Sequence, residues 1–193
     1  IRKGFNMSDI TKRALASSLK DLLSKYKFNK ITIKDITENC GVNRQTFYYH
    51  FKDIYDLLEW IYKNEVILEI EEKATYETWQ QGLMYIFEYV LKNKDFVKNT
   101  YYSISKDLLL NFIYAQTNIL IMDVIEEKSK NINISNEDKM FIANFYKYGF
   151  VGLLQDWIES GMKQKPKVII NKLSVMIDGS FDNAFYNFQN LDK

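Results

Sequence analysis

The chain has 193 residues, with 26 Lys or Arg against 25 Asp or Glu and one His, so its formal net charge is +1 at pH 7. One proline and seven glycines leave few interruptions to helices, and a single cysteine excludes an internal disulfide. No window of eighteen uninterrupted apolar residues and no charged-then-apolar leader is present. We therefore expect a cytoplasmic protein without a membrane span.

Positive charge is concentrated in the first quarter of the chain. Residues 1–53 contain 11 Lys or Arg against 5 Asp or Glu, whereas residues 54–193 contain 15 against 20. A basic segment attracts the phosphates of nucleic acids, although a charge run is more often a solvated face. Residues 1–6 precede Met7, and their origin is left open. The asymmetry makes double-stranded DNA a candidate partner.

The first predicted helix runs from Ile10 to Tyr26. Apolar residues recur there at three- to four-residue spacing, and lysines with one arginine occupy the other side. The connector at residues 27–30 contains Phe28, and either Tyr26 or Phe28 is expected to seal a small core. The apolar face consists of Leu15, Leu19, Leu22, Leu23 and Tyr26.

Two short amphipathic helices meet at Gly41 within residues 32–51. Thr32 is a good N-cap residue, with Asp35 three residues later in a capping-box position. Glycine enters the left-handed backbone region without penalty, so Gly41 is expected to end this helix. Asn43 is expected to cap the next one. The spacing predicts a helix-turn-helix motif.

The second helix of this motif divides into an apolar and a polar side. Val42, Phe47 and Phe51 are expected to face the core. The polar side presents cationic, amide, hydroxyl and phenolic groups in the first turn and a half, where a recognition helix contacts DNA. Arginine pairs best with guanine and glutamine with adenine. We expect contacts to base edges from Arg44, Gln45, Thr46 and Tyr48.

The pattern Thr-Ile-x-x-Ile-x-x-x-x-Gly-Val-x-x-x-Thr-Phe-Tyr-Tyr-His-Phe-Lys-x-x-x-x-Leu begins at Thr32. It resembles the signature of the TetR/AcrR family of one-component transcriptional regulators. The similarity extends from about Thr11 to Leu58. It implies a three-helix DNA-binding domain at residues 7–53 and a helical domain at 54–193 that binds an effector and dimerises.

The sequence departs from the family pattern at Ile54. Members of the family usually carry a lysine there, and it commonly reaches a backbone phosphate. Lys52 lies two residues earlier, but side chains two apart in a helix point to different faces. Whether the missing lysine is compensated stays open. Phosphate contacts are expected from Thr32, Lys34, Tyr49, His50 and Lys52.

Helical patterns continue to the end of the chain without strand-like alternation. Asp53 is expected to cap a long fourth helix that reaches about Thr75 and links the DNA-binding motif to the rest. The patterns predict nine helices and an all-α fold. The later helices are predicted at residues 79–90, from Asp95 or Asn99, at 108–125, at 135–161 after a Ser135 cap, and from Pro166 toward Phe185.

The last two predicted helices are more apolar than a peripheral pair requires. A monomer would read one half-site, whereas a homodimer places two recognition helices about 34–36 Å apart on a palindromic operator. The resemblance implies a dimer interface at residues 135–162 and 166–189, where Gly149 and Gly152 would allow close helix approach. Packing within one chain is the alternative.

The middle of the chain is expected to hold an effector. An apolar or aromatic small molecule would suit a pocket of aromatic side chains, although aromatic residues at helical spacing are more often core. Alternatively, a partner protein is the effector, because residues 149–166 resemble a segment of dihydroxyacetone-kinase regulators. Activation or repression stays open. The candidate pocket residues are Trp79, Tyr85, Tyr101, Tyr102, Phe112, Phe145, Tyr148 and Trp157.

Enzyme classes find little support in the sequence. There is no glycine-rich phosphate loop, and one histidine cannot form a His-Glu-x-x-His metal pair. No catalytic residue, metal ligand or cofactor is predicted. A helical protein–protein interaction module without sequence-specific DNA binding is the alternative function.

Overall fold

The structure is a computed structural model that describes residues 7–71, 75–103 and 106–190. Within these ranges every regular element is helical, as predicted. A 3-10 helix at Phe28–Lys30 separates the first two α-helices. The α-helices are α1 (Met7–Leu23), α2 (Ile33–Cys40), α3 (Arg44–His50), α4 (Ile54–Tyr62), α5 (Leu68–Glu71), α6 (Trp79–Lys92), α7 (Lys94–Tyr101), α8 (Lys106–Lys128), α9 (Asn136–Glu159), α10 (Pro166–Ile177) and α11 (Ser180–Gln189).

These segments correspond to the predicted helices, two of which are interrupted. The predicted fourth helix continues from α4 through a π-helical turn at Lys63–Ile67 into α5. Residues 72–74, near its predicted end, lie outside the described ranges. The predicted last helix divides at Gly179, whose φ of 68° lies in the left-handed region. The prediction of one uninterrupted last helix is therefore wrong.

Two compact units divide the chain. The first contains residues 7–65 and the described part of 93–109, and the second contains 66–92 and 110–190. The first unit thus extends past the predicted domain end at residue 53, because α4 and α7 pack with α1. The functional division at residue 53 stays a prediction.

The core of the first unit lies behind the helix-turn-helix motif. α1 packs against α2, α3, α4 and α7. Burying an aliphatic or aromatic side chain contributes about 1.5–3 kcal/mol, so this core fixes the motif. Its fully buried side chains include Leu15, Leu19, Leu23, Ile36, Phe47, Leu57 and Ile61.

α1 ends earlier than predicted. The backbone N–H groups of Lys25 and Tyr26 both donate to the carbonyl of Leu22, so the chain turns away from the helix there. Tyr26 is 55 % exposed, whereas Phe28 is 5 % exposed, and its ring centroid lies 5.4 Å from that of Tyr55. Phe28 seals the core, and the placement of Tyr26 on the apolar face of α1 is wrong.

Polar contacts tie α7 and the π-helical turn after α4 to α1. The Asn99 side chain donates to the carbonyl of Leu23 at 2.6 Å, which satisfies an otherwise free group at the end of α1. The ammonium of Lys20 lies 2.6 Å from a carboxylate oxygen of Glu65. The helix after residue 90 was predicted to start at Asp95 or at Asn99, and the start of α7 at Lys94 agrees with Asp95.

In the second unit, the segment after Gly149 contains the end of α9 and a sharp turn that follows it. The ring of Trp157 packs edge-on against Phe87 at 4.7 Å, and its Nε1 donates to the carbonyl of Gln164 at 2.8 Å. The chain then reverses at Gly161 and Met162, which have φ values of 83° and 62°. The predicted stop at Gly161 agrees with the end of α9 at Glu159.

Candidate nucleic-acid interface

The α2–turn–α3 motif is built from local capping interactions. The Thr32 hydroxyl accepts a hydrogen bond from the Asp35 N–H at 3.3 Å, and the Asp35 carboxylate accepts one from the Thr32 N–H at 2.8 Å. Gly41 follows α2 with φ of 72°. Asn43 Oδ1 accepts from the Thr46 N–H at 2.8 Å and so caps α3. The predicted capping box, left-handed glycine and second N-cap are confirmed.

The inner side of α3 is anchored in the core. Phe47 is fully buried, and Phe51 is nearly so. Their ring centroids lie 5.9 Å apart, and Phe51 also meets Trp60 edge-on at 6.0 Å. One buried ring inside this seven-residue helix and another at its C-cap fix which side of the helix faces away from the protein. Val42 is only partly buried.

The outer side of α3 is open to solvent. Arg44 and Gln45 are exposed, Thr46 is half-buried, and Tyr48 is 59 % exposed. The Thr46 hydroxyl is within 3.0 Å of Asn43 Oδ1 and donates to it. The hydroxyl proton of Thr46 is held in this hydrogen bond to Asn43. Thr46 can therefore offer a ligand only an oxygen lone pair and a methyl group.

The predicted phosphate contacts have different surroundings. The Lys34 ammonium lies 3.6 Å from the Glu38 carboxylate in an exposed i,i+4 ion pair. Such an exposed pair is weak in water, so it does little to keep Lys34 from binding another anion. Hydrogen bonds from the Thr32 side chain and backbone lower the pKa of the Asp35 carboxyl, and Lys34 and Arg44 lower it further. Thr32 donates its hydroxyl to that carboxylate at 2.7 Å. Its role in the cap therefore limits its role toward DNA.

The end of α3 carries the other predicted phosphate contacts. Tyr49 is 82 % exposed and meets the ring of His50 edge-on at 4.9 Å. Burial of the ring, and then the charge of Lys12, lower the pKa of His50. Lys52 is exposed, and its backbone N–H donates to Asp56 at 3.0 Å.

One position that fixes the motif escaped the sequence reasoning. The buried Ser18 hydroxyl donates to the carbonyl of Ile36 at 2.7 Å and accepts from the Asn39 amide at 3.1 Å. These bonds hold α2 against α1. The available signal was a serine at a core spacing in α1, three residues after Leu15 and four before Leu22.

Comparisons with known proteins agree with this geometry. Residues 19–61 match the family described as bacterial regulatory proteins, tetR family. Residues 77–179 match a family described as transcriptional regulator C-terminal region. The chain belongs to the TetR family. It is accordingly a DNA-binding transcriptional regulator, as the sequence predicts.

Similar proteins point to one subgroup of TetR-family regulators. The chain is 27 % identical over 173 residues to the HTH-type dhaKLM operon transcriptional activator DhaS of Lactococcus lactis, covering 88 % of this chain and 92 % of the relative. A solved structure of a dihydroxyacetone kinase operon activator DhaS has a TM-score of 0.71 at 24 % identity, covering 90 % and 97 % of the two chains. A Pseudomonas aeruginosa regulator structure has a TM-score of 0.63 at 13 % identity, covering 97 % and 98 %. The resemblance to dihydroxyacetone-kinase regulators is thereby supported.

The candidate effector residues of this TetR-family chain are divided between the two units. Tyr101 and Tyr102 lie in the first unit, where Tyr101 is buried and Tyr102 is 60 % exposed. The second unit holds the other members. Trp79 lies 6.1 Å from Phe150, and Tyr148 lies 5.5 Å from Tyr114. The second-unit members are Trp79, Tyr85, Phe112, Phe145, Tyr148 and Trp157.

The candidate dimerisation helices carry an exposed apolar face. On α9, Phe141, Phe145 and Tyr148 recur at helical spacing, and Phe145 is 70 % exposed. Gly149 lies beside them, and a Cβ added there would meet nothing within 4 Å. Val175 and Met176 on α10 are also exposed. Aromatic residues that the spacing had assigned to a core or a pocket thus lie on the surface of the single chain.

No helix in the described part of the chain is long and apolar enough to cross a bilayer. Among the same residues, no three His, Cys, Asp or Glu side chains lie together as a metal site requires.

Proposed function

We propose that the chain binds a palindromic operator as a homodimer and reads each half-site with α3. Arg44 and Gln45 lie exposed in its first turn, while the buried Phe47 fixes the helix behind them. Arginine can bind guanine O6 and N7 together, and glutamine can bind adenine N6 and N7 together. The exposure of Arg44 and Gln45 above a buried Phe47 carries the proposal.

The neighbouring polar groups complete the proposed contacts. Thr46 and Tyr48 meet base edges, with Thr46 as an acceptor or through its methyl group because its proton is engaged by Asn43. Contacts to phosphates fix the orientation of the protein on the duplex and carry no sequence information of their own. The proposed phosphate contacts are Thr32, Lys34, Tyr49, His50 and Lys52, where Thr32 exchanges its hydroxyl bond to Asp35 for one to the phosphate.

The proposed homodimer forms through residues 135–162 and 166–189. The exposed face around Phe145 and Tyr148 is supported as an interface by its apolar character, since exposed apolar patches of this kind mark interaction sites. The open space above Gly149 lets a second helix approach closely. Two copies of α3 then reach successive major grooves.

An effector is proposed to switch operator binding by favouring one spacing of the two recognition helices. A ligand shifts such an equilibrium only if it binds one state better than the other. The effector is a small molecule held among the aromatic residues of the second unit, or a partner protein. Because the relative DhaS is an activator of the dhaKLM operon, we infer activation as the direction of control. The protein acts in the cytoplasm and needs no cofactor or catalysis for this function.

Selection of binding sites from random duplex DNA at a stated salt concentration tests the proposal. We expect enrichment of a palindrome whose half-sites lie about one helical turn apart. Recovery of sequences without any common motif would contradict it and favour a helical interaction module. Salt must be stated because the phosphate contribution changes steeply with it.

A further inference from the structure

The buried hydroxyl of Ser18 in α1 bridges one turn of α2. It donates to the Ile36 carbonyl at 2.7 Å and accepts from the Asn39 amide at 3.1 Å. Ile36 and Asn39 are three residues apart, so they are neighbours on the surface of α2. One side chain of α1 thus holds α2 at two points, which fixes the rotation of α2 about its axis and its position along α1.

The surroundings of this hydroxyl make its two hydrogen bonds hard to replace. Ser18 is 2 % exposed and lies on the face of α1 that carries the fully buried Leu15 and Leu19. Water has little access to the hydroxyl there, and hydrogen bonds are stronger in such a low-dielectric environment. Alanine at this position offers neither a donor nor an acceptor, so α2 would lose both bonds.

The bridged turn of α2 lies directly before the turn that leads to the recognition helix. Asn39 is in the last turn of α2, and the Val42 N–H donates to the Thr37 carbonyl at 3.0 Å. Asn43 then caps α3, whose first residue is Arg44. The start of α3 is therefore tied to the end of α2, and a shift of α2 would move Arg44.

Base reading tolerates such a shift less than phosphate binding does. A bidentate contact to a base edge needs two hydrogen bonds in a fixed plane. A lysine ammonium, by contrast, is a point charge on a flexible stem that can follow a displaced phosphate. A small movement of α3 should therefore weaken discrimination between bases and leave the phosphate contribution to affinity almost unchanged.

We propose that Ser18 is a positioning residue for base reading: through Ile36 and Asn39 it holds α2 where the first turn of α3 meets the base edges. This inference rests on the DNA-binding function proposed above. It adds a residue of α1, outside the helix-turn-helix motif, to the determinants of sequence preference. Asn39 acts through Ser18 and makes no DNA contact of its own.

The discrimination ratio tests this role. It is the affinity for the preferred operator divided by the affinity for an operator with one changed base pair. A variant that is only less stable loses the same active fraction on every DNA, so its ratio stays that of the wild type. We expect Ser18→Ala to lower the ratio about three- to tenfold, which is part of the discrimination that one bidentate contact supplies. The slope of log affinity against log salt should not change, because no phosphate contact is removed.

Two variants of the full chain serve as matched controls. Ser17→Ala removes an exposed hydroxyl from the neighbouring position of α1. Thr37→Val removes a buried hydroxyl that lies 3.0 Å from the Ile33 and Lys34 carbonyl oxygens, so its hydrogen bonds stay within α2. Thr37→Val should lower the free energy of unfolding. Both controls should keep the wild-type discrimination ratio.

Asn39→Ala provides an independent test, since it changes an exposed residue and leaves the Ser18 bond to Ile36 in place. It should lower the ratio less than Ser18→Ala does. The double variant should match Ser18→Ala alone, because both residues act through one shared bond. Additive losses would assign Asn39 a DNA contact of its own and overturn the pairing. If Ser18→Ala does not fold, the ratio of Asn39→Ala decides.

The outcomes separate this inference from the function on which it rests. A folded Ser18→Ala with the wild-type ratio would overturn the positioning role and leave the operator function standing. The same loss of discrimination in Thr37→Val would also overturn it, since any loosening of α2 would then suffice. A wild type that binds all duplexes equally would contradict the operator function, and the positioning role with it.

Discussion

The hydroxyl groups of Tyr62 in α4 and Thr100 in α7 lie 2.7 Å apart, and both residues are buried. Burial raises the pKa of the Tyr62 phenol, so the phenol stays neutral and keeps its proton for the hydrogen bond with the Thr100 hydroxyl. Thr100 Oγ1 also lies 3.0 Å from the Phe96 carbonyl oxygen. The hydrogen bond between Tyr62 and Thr100 holds α7 to α4, the helix that follows the DNA-binding motif.

Tyr62→Phe removes that bond and keeps the ring. Because the Thr100 hydroxyl retains a backbone carbonyl as partner, we expect a loss of about 0.5–1.5 kcal/mol in the free energy of unfolding. Urea denaturation measures it. Tyr102→Phe, at an exposed tyrosine, should change stability by less than about 0.5 kcal/mol. Equal losses in the two variants would assign no stabilising role to the buried bond.

Gly41 is required for its backbone conformation and not for lack of space. A Cβ there would meet nothing within 4 Å, but the φ of 72° is left-handed. Gly41→Ala should cost about 1–2 kcal/mol of stability, whereas Gly41→Asn should cost less because asparagine tolerates this region. Thermal unfolding of both variants checks this. If alanine and asparagine destabilise equally, the left-handed turn is not the cause.

The α9 face around Phe145 should hold the homodimer together. Phe145→Asp places a charge on an exposed apolar face that a second copy would bury, and an unpaired buried charge is strongly unfavourable. We expect the variant to be monomeric at micromolar concentration in sedimentation or light-scattering measurements, and the wild type to be dimeric.

Tyr102→Asp is the matched control for the interface, because Tyr102 is similarly exposed but lies outside residues 135–189. It should leave the dimer intact. A monomeric wild type, or a Phe145→Asp variant that still dimerises, would remove this face as the interface.

Stability should fall in mildly acidic solution because of His50. The folded-state pKa of His50 lies below its usual 6.5, so the unfolded chain takes up a proton first. The stabilisation is present above that value and is lost as pH falls through the folded-state pKa. His50→Gln should flatten the unfolding free energy between about pH 7 and about pH 5. Asp35, whose pKa is lowered from 3.8, acts in the same direction only in more acidic solution.

A wild type whose unfolding free energy is constant over that range, or a His50→Gln variant that keeps the full decline, would contradict this assignment. The His50 pKa from NMR locates the midpoint independently.

The helix-turn-helix motif was predictable because its determinants are local. Thr32, Gly41 and Asn43 each act within four residues of their position in the chain, so residue type and spacing suffice. The left-handed stop at Gly41 and the inward rings of Phe47 and Phe51 followed from the same rules. The family resemblance added the function of the motif.

Features that depend on distant packing were less accessible. The choice between Tyr26 and Phe28 depended on where the chain leaves α1, and helical periodicity does not fix such ends. Phe145 and Tyr148 have the spacing of core residues, yet they are exposed on the single chain. The π-helical turn at Lys63–Ile67 has no spacing signal that separates it from a continuous helix.

The most direct test of base reading compares the wild type with Arg44→Ala on a set of operators in which each base pair is changed singly. We expect Arg44→Ala to lose about 1–3 kcal/mol on the preferred operator and to lose its preference at one position in each half-site. Lys34→Ala should weaken binding to all operators about equally. An Arg44→Ala variant that weakens equally on every operator, with its base preferences unchanged, would contradict the assignment of α3 as the helix that reads the sequence.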